Sequence, residues 1–134
     1  MNKTENKKAT LQDFLAKKIK REEDKDQIKD KDIYISSMDK TIICTKPNDN
    51  LVYDFMDDLG DKDTRTSRTT AIAYKKIIYK CCKELQSPQL HEELEIKDPY
   101  DVMNLFDFSD MSEIIPQFDE LMGHKKPNVE IKNS

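Results

Sequence analysis

The 134-residue chain is 36% hydrophobic and 37% charged, holds two glycines and carries a formal net charge of −4. This balance allows one modest core with part of the chain outside it, and so few glycines argue against an all-β sandwich with many tight turns. Charge is laid down in blocks: residues 1–31 hold ten Lys/Arg against seven Asp/Glu, residues 62–83 hold seven against one, and residues 84–122 hold eleven acids with Lys97 as their one Lys/Arg.

Residues 1–9 are polar and are expected to be disordered. No hydrophobic segment follows the lysines of "MNKTENKKAT", so a secretory signal is not expected. Thr10 and Asp13 then form a capping pair, and Leu11, Phe14, Leu15 and Ile19 recur at helical spacing. The stripe ends in "KREEDKDQIKDKD", which has one apolar residue. The spacing predicts an amphipathic helical arm within 1–31, with a short apolar face and a long charged extension. Such a face either docks on the core or binds a partner, and a tethered amphipathic helix is a common recognition device.

The period changes in "DIYISSMDKTIICTKP". Ile33 and Ile35 alternate with Tyr34 and Ser36, and Ile42 and Cys44 with Ile43 and Thr45; with the β-branched content this predicts a β-hairpin over about 32–46 turning near Asp39–Lys40. Lys40 stands where a glycine would favour the turn. Asn48 or Asp49 can cap a helix through Leu51, Val52, Phe55, Met56 and Leu59, stopped by Gly60.

After a polar connector, Ala71, Tyr74, Ile78, Cys81 and Leu85 predict a helix that Pro88 ends, with Lys75, Lys76, Lys80 and Lys83 opposite. "QLHEELEI" supplies a short helical turn. Asp98 and Pro99 open another helix with Val102, Met103, Leu105 and Phe106 on its apolar face. The last helix starts near Ser109 and carries Ile114, Ile115, Phe118, Leu121 and Met122, with Pro116 expected to kink it or delay its start. The fold class is therefore α+β, mainly α: an arm in 1–31, then a domain over 32–123 with one hairpin and about four helices, then a disordered tail at 124–134.

Little of this can do chemistry. His91 opens "HEELE", but Glu95 stands where a zinc-protease motif needs its second histidine, so His91 reads as a surface residue. The other histidine, His124, falls in the tail. Cys81 and Cys82 are adjacent rather than spaced as a metal or redox pair, and Cys81 lies on the apolar stripe, which favours core packing. With Cys44 they make an odd number, as expected of free thiols in a reducing cytosol. Asp57, Asp58, Asp101 and Asp107 read as solvated faces. No phosphate-binding loop is present. The lysine face of 62–83, with Tyr79 nearby, could meet phosphates or pair with the acidic 84–122 block.

Four segments in order resemble the XkdN-like tail assembly chaperones of phages and phage-derived contractile particles: "TLQDFLAKK", "IYISSMDKTIICTKPND", "AYKKIIYKCCKEL" and "IKDPYDVMNLF". The resemblance runs from about Thr10 to Gly123. It implies a non-enzymatic protein without catalytic, cofactor-binding or metal-binding residues. Such a protein coats the long tape measure protein and keeps it soluble until the tail tube forms around it. It implies the tape measure protein as partner, with other tail proteins and self-association also allowed, and neither nucleic acid nor membrane. The place implied is the host bacterial cytoplasm, with no copy in the finished particle. Residues Leu11, Phe14, Leu15 and Ile19 are the partner-binding candidates. The alternative is a small phage-encoded DNA-binding or anti-repressor protein that uses the basic 62–83 segment.

Overall fold

Ile33, Ile35, Ile42 and Cys44 bury one face of a two-stranded antiparallel hairpin, the element around which the chain is arranged. Strand β1 is Asp30–Ile35 and β2 is Lys40–Thr45, paired so that Ile33 meets Ile42 and Asp32 meets Ile43. The computed structural model describes residues 7–25 and 29–123. The expected disorder of 1–9 therefore lies largely outside the described residues, and the expected tail at 124–134 lies wholly outside them. Among the described residues the chain is mainly helical, with this one hairpin: α1 (Leu11–Lys25) precedes it, and α2 (Asp49–Leu59), α3 (Ser67–Cys81), α4 (Pro88–Glu93) and α5 (Phe108–Leu121) follow. Two 3-10 segments, Lys83–Gln86 and Pro99–Leu105, join the later helices.

The hairpin turn departs from expectation by one residue. Its left-handed position is Asp39 (φ 52°), not Lys40, which is already paired with Ile35. Aspartate tolerates this conformation because its short polar side chain bonds locally, here accepting from the Tyr34 hydroxyl at 2.8 Å.

Each α-helix of the body begins on a polar cap. The Asn48 side chain accepts from the Leu51 amide (2.9 Å) and opens α2. Gly60, with φ 71°, closes that helix by donating to Met56 O. Thr66 caps α3, Ser87 caps α4, and Asp107 forms a reciprocal capping box with Asp110 at α5. Asp107 is thus a cap and not merely a solvated carboxylate.

Five of the sequence expectations change. Helix α3 ends at Cys81, so Pro88 does not stop it; instead Pro88 takes the first position of α4, where its missing N–H costs nothing. The buried face of α3 is Ala73, Ile77, Ile78 and Cys81, with Ala71 and Tyr74 only half-buried. Leu85 remains buried although it lies in the 3-10 segment. The segment after Asp98 is a 3-10 helix, Pro99–Leu105, rather than an α-helix. Within it Val102 and Met103 are buried but Leu105 is exposed, as Met56 is on α2. Helix α5 starts at Phe108 and runs through Pro116 without delay.

One core joins these elements. Val102, Met103, Phe106, Met111, Ile114, Phe118 and Leu121 close over the hairpin and α3. Phe55 of α2 meets Tyr74 of α3 edge to face at 4.8 Å, and the Tyr74 hydroxyl donates to Asp119 of α5 at 2.7 Å. His91 belongs to this framework and is not a plain surface residue: its Nε2 lies 2.7 Å from the Leu85 carbonyl and its ring is near Tyr79.

The outer edges of the hairpin are sealed by side chains. Gln117 of α5 accepts from the Tyr34 amide (2.8 Å) and donates to the Tyr34 carbonyl (2.9 Å), as a neighbouring strand would. Glu113, one turn earlier, accepts from the Ser36 amide (2.8 Å). On the opposite edge Glu84 accepts from the Ile43 amide (2.9 Å).

Ile78→Ala and Leu85→Ala should each cost about 2–5 kcal/mol in urea unfolding, as truncations of buried aliphatic side chains do. Near-neutral values at both would contradict the core described. Gln117→Ala and Glu113→Ala should cost about 1 kcal/mol each. They should also speed hydrogen exchange at Tyr34 and Ser36 selectively; unchanged exchange there would mean that water serves those amides equally well.

Candidate functional site

Helix α1 is set by its own start. The Thr10 amide donates to Asp13 Oδ2 (2.8 Å) and the Asp13 amide to Thr10 Oγ1 (3.3 Å), which completes the capping box. Lys18 and Glu22 add an i,i+4 pair at 3.6 Å. Apolar residues at 11, 14, 15 and 19 of such a helix fall on one face.

That face is not docked on the core. Leu11 is 69% exposed, Phe14 64%, Leu15 46% and Ile19 57%. The body is met instead by the charged side of α1: Lys17, Lys20, Arg21 and Asp24 line a cleft against residues 45–49. Arg21 Nη2 approaches Asp49 Oδ2 at 2.6 Å, at the start of α2. At 100° per residue Lys17, Lys20 and Asp24 lie on the side of the helix away from the stripe, while Arg21, seven residues after Phe14, lies at its flank. The four candidate residues are thus held together and turned outward. The ion pair is exposed at both ends, so it orients the arm weakly and is screened by salt.

Next to the stripe the surface is nearly neutral, since Lys18 and Glu22 offset one another. A partner on this face meets apolar side chains first and little net charge.

Other sequence candidates have structural duties. Lys80 lies 3.9 Å from Asp54 of α2, and Lys76 stands over the Tyr100 ring at 5.8 Å. Two of the four lysines on the basic face therefore have partners within the molecule, the first of them outside the acidic 84–122 block. From that block, Glu120 pairs with Lys31 at 3.1 Å, and Glu84 and Glu113 hold the hairpin edges.

All three cysteines are free and buried. Burial pushes the Cys81 thiol up to about 12. Its hydrogen bond to Cys82, together with burial, raises Cys44 well above the ordinary thiol value. The nucleophile is the thiolate, so Cys44 and Cys81 are poor reagents at neutral pH. Tyr74 is likewise raised, by burial and by its bond to Asp119. Among the described residues no three His, Cys, Asp or Glu side chains converge as if to hold a metal ion. No helix among them is long and apolar enough to cross a membrane.

Sequence reasoning missed the edge-sealing trio Glu84, Glu113 and Gln117, and also Phe108, the most exposed large hydrophobic among the described residues at 84%. The 113/117 spacing carries a faint signal, two hydrogen-bonding side chains one turn apart beside the apolar face of α5.

Cys81 yields a pH test. Its thiol titrates near 9.0 when unperturbed and near 12 when folded, so its contribution to stability is complete below about pH 9 and is lost as pH rises towards 12. Cys81→Ala should flatten that part of a plot of urea midpoint against pH; an unchanged alkaline slope would show that the thiol is not desolvated. No family model, curated protein or solved structure matches the chain.

Proposed function

We propose that this chain is a non-enzymatic tail assembly chaperone of the XkdN-like kind, which binds a tape measure protein and keeps it soluble until the tail tube forms. The observation that carries the reading is the orientation of α1, whose charged side faces the body while Leu11, Phe14, Leu15 and Ile19 face solvent. A solvent-facing stripe of four large apolar residues on a helix is a costly surface unless something covers it. A long helical partner offers a matching surface many times over. The ordered segments "TLQDFLAKK" to "IKDPYDVMNLF" supply the family half of the argument.

The magnitudes suit a temporary coat. Covering four half-exposed side chains gains on the order of 5 kcal/mol, while association costs roughly 4–15 kcal/mol. One arm therefore binds weakly, and many copies on one long partner hold by multivalency. Weak single contacts also let the coat leave when the tube subunits arrive. The working place is the host bacterial cytoplasm, and the chaperone is absent from the finished particle.

Phe14→Asp together with Leu15→Asp tests the grip. Both residues are exposed, so the body should unfold at the same urea concentration as the parent. Coexpressed tape measure protein should then pass from the soluble to the insoluble fraction. If the double variant unfolds the body, the stripe belongs to the core. If it folds and still solubilises the partner, α1 is not the grip.

A further inference from the structure

Away from the α1 stripe, two surfaces carry complementary chemistry. The first is a groove of about 400 Å³ between the N-terminal turns of α3 and α5. Ala71, Met111 and Ile115 contribute its apolar lining, and Phe108 stands beside them largely in solvent. Lys62 and Arg65 supply its charge, and neither is in an ion pair with any described residue. The first turn of α3 holds no acid to offset its N-terminal dipole. Acids at the start of α5 are engaged elsewhere: Asp107 and Asp110 accept from one another's backbone amides, and Asp110 also bonds Ser37.

The second surface is the outer face of α2. Asp49, Tyr53, Met56 and Asp57 share it by helical spacing, and Tyr53 (62%) and Met56 (58%) are exposed. The helix holds four aspartates and no base; Asp49 pairs with Arg21 and Asp54 with Lys80, and Asp57 and Asp58 are in no ion pair with any described residue. An apolar pair set among acids thus matches an apolar groove with a basic rim.

We propose that the outer face of α2 in one copy docks in the α3–α5 groove of a second copy. Tyr53 and Met56 cover the apolar lining beside Phe108, while Asp57 meets Lys62 and Arg65. Helix α1 is a poorer occupant, because the surface at its stripe is nearly neutral and brings no net negative charge to a basic rim. The two surfaces differ, so the contact is heterologous: each added copy presents a free groove or a free face, and association continues as a string unless the rotation closes a ring. This goes beyond the chaperone reading, because it uses neither the α1 stripe nor a tape measure protein.

Sedimentation velocity of the full chain over a concentration series tests it. The sedimentation coefficient should rise with concentration, and less steeply at high salt, which screens the rim. Phe108→Asp removes the groove and Tyr53→Asp the face, both at largely exposed positions where folding is not at stake. Each variant alone should stay monomeric where the parent associates. Mixed in equal amounts they should form pairs and go no further, because the mixture keeps one intact groove for one intact face. A parent chain that is monomeric throughout would overturn the proposal, as would variants that do not pair on mixing. Phe14→Asp with Leu15→Asp should leave self-association unchanged; its loss there would move the contact to α1 and likewise overturn the α2–groove pairing. With no tape measure protein present, none of these outcomes bears on the chaperone reading.

Discussion

A hairpin of two strands has two open edges and only one face to bury, and this constraint organises the whole body. Isolated hairpins are marginal in water, and an unpaired edge invites pairing with other chains. Here the inner face is covered by one core, and the edges are covered by side chains rather than by further strands. Gln117 places an amide against the backbone of Tyr34 in both hydrogen-bonding senses. Glu113 and Glu84 each take a further edge amide. The same contacts fix where α5 and the Lys83–Gln86 segment lie, since a side-chain bond to a strand edge tolerates little sliding. Helix α3 then fills the space between them, and α2 is held to it through Phe55 and Tyr74.

This arrangement explains which parts of the fold were legible in the sequence. The hairpin was legible because alternation has a period of two and one face had to be apolar. The helix starts were legible because Thr10, Asn48 and Asp98 carry their signal locally. The core face of α3 was not, for a geometric reason: Ile78 and Cys81 belong to two overlapping helical series, one through Ala71 and Tyr74 and one through Ala73 and Ile77. Only the neighbouring elements choose between them, and the hairpin and α5 choose the second. The 3-10 form of Pro99–Leu105 was hidden too, because a sound cap says where a helix begins but not which helical form follows it. Glutamates and a glutamine that seal sheet edges look the same in sequence as solvated ones.

The candidate site divides along the same line. That Leu11, Phe14, Leu15 and Ile19 form one stripe follows from spacing alone. That the stripe faces outward does not, because an amphipathic helix beside a core ordinarily turns its apolar side inward. Here the contact with the body is made from the flank of the stripe by Arg21, which reaches the acid at the start of α2. Its clue in the sequence is a cluster of bases, Lys17 and Lys20 on the face away from the stripe and Arg21 at its flank, followed at a distance by Asp49. Reading that clue requires knowing that α2 begins beside the arm, which is a fact of the fold.

Charge is thereby sorted by task. The arm sets its bases toward the body and exposes a nearly neutral apolar face, so the proposed grip would depend on buried area and little on salt or on the charge of the partner. The faces proposed to join copies are the reverse, an acidic helix and a basic rim, and contact between them weakens as salt screens it. A chaperone of the proposed kind would benefit from this separation. The apolar stripe does not discriminate among helices, and the charged faces do not compete for it because their charges attract each other and not the stripe. Copies that join through α2 and the α3–α5 groove would carry their stripes at a fixed interval, set by the body rather than by the partner. Avidity on a helical partner then depends on how well that interval matches the repeat of the partner's own apolar surface, because linked weak sites add only when all can engage together. In that case the rigidity of the body, traced back to three side chains on two strand edges, sets the spacing of the coat.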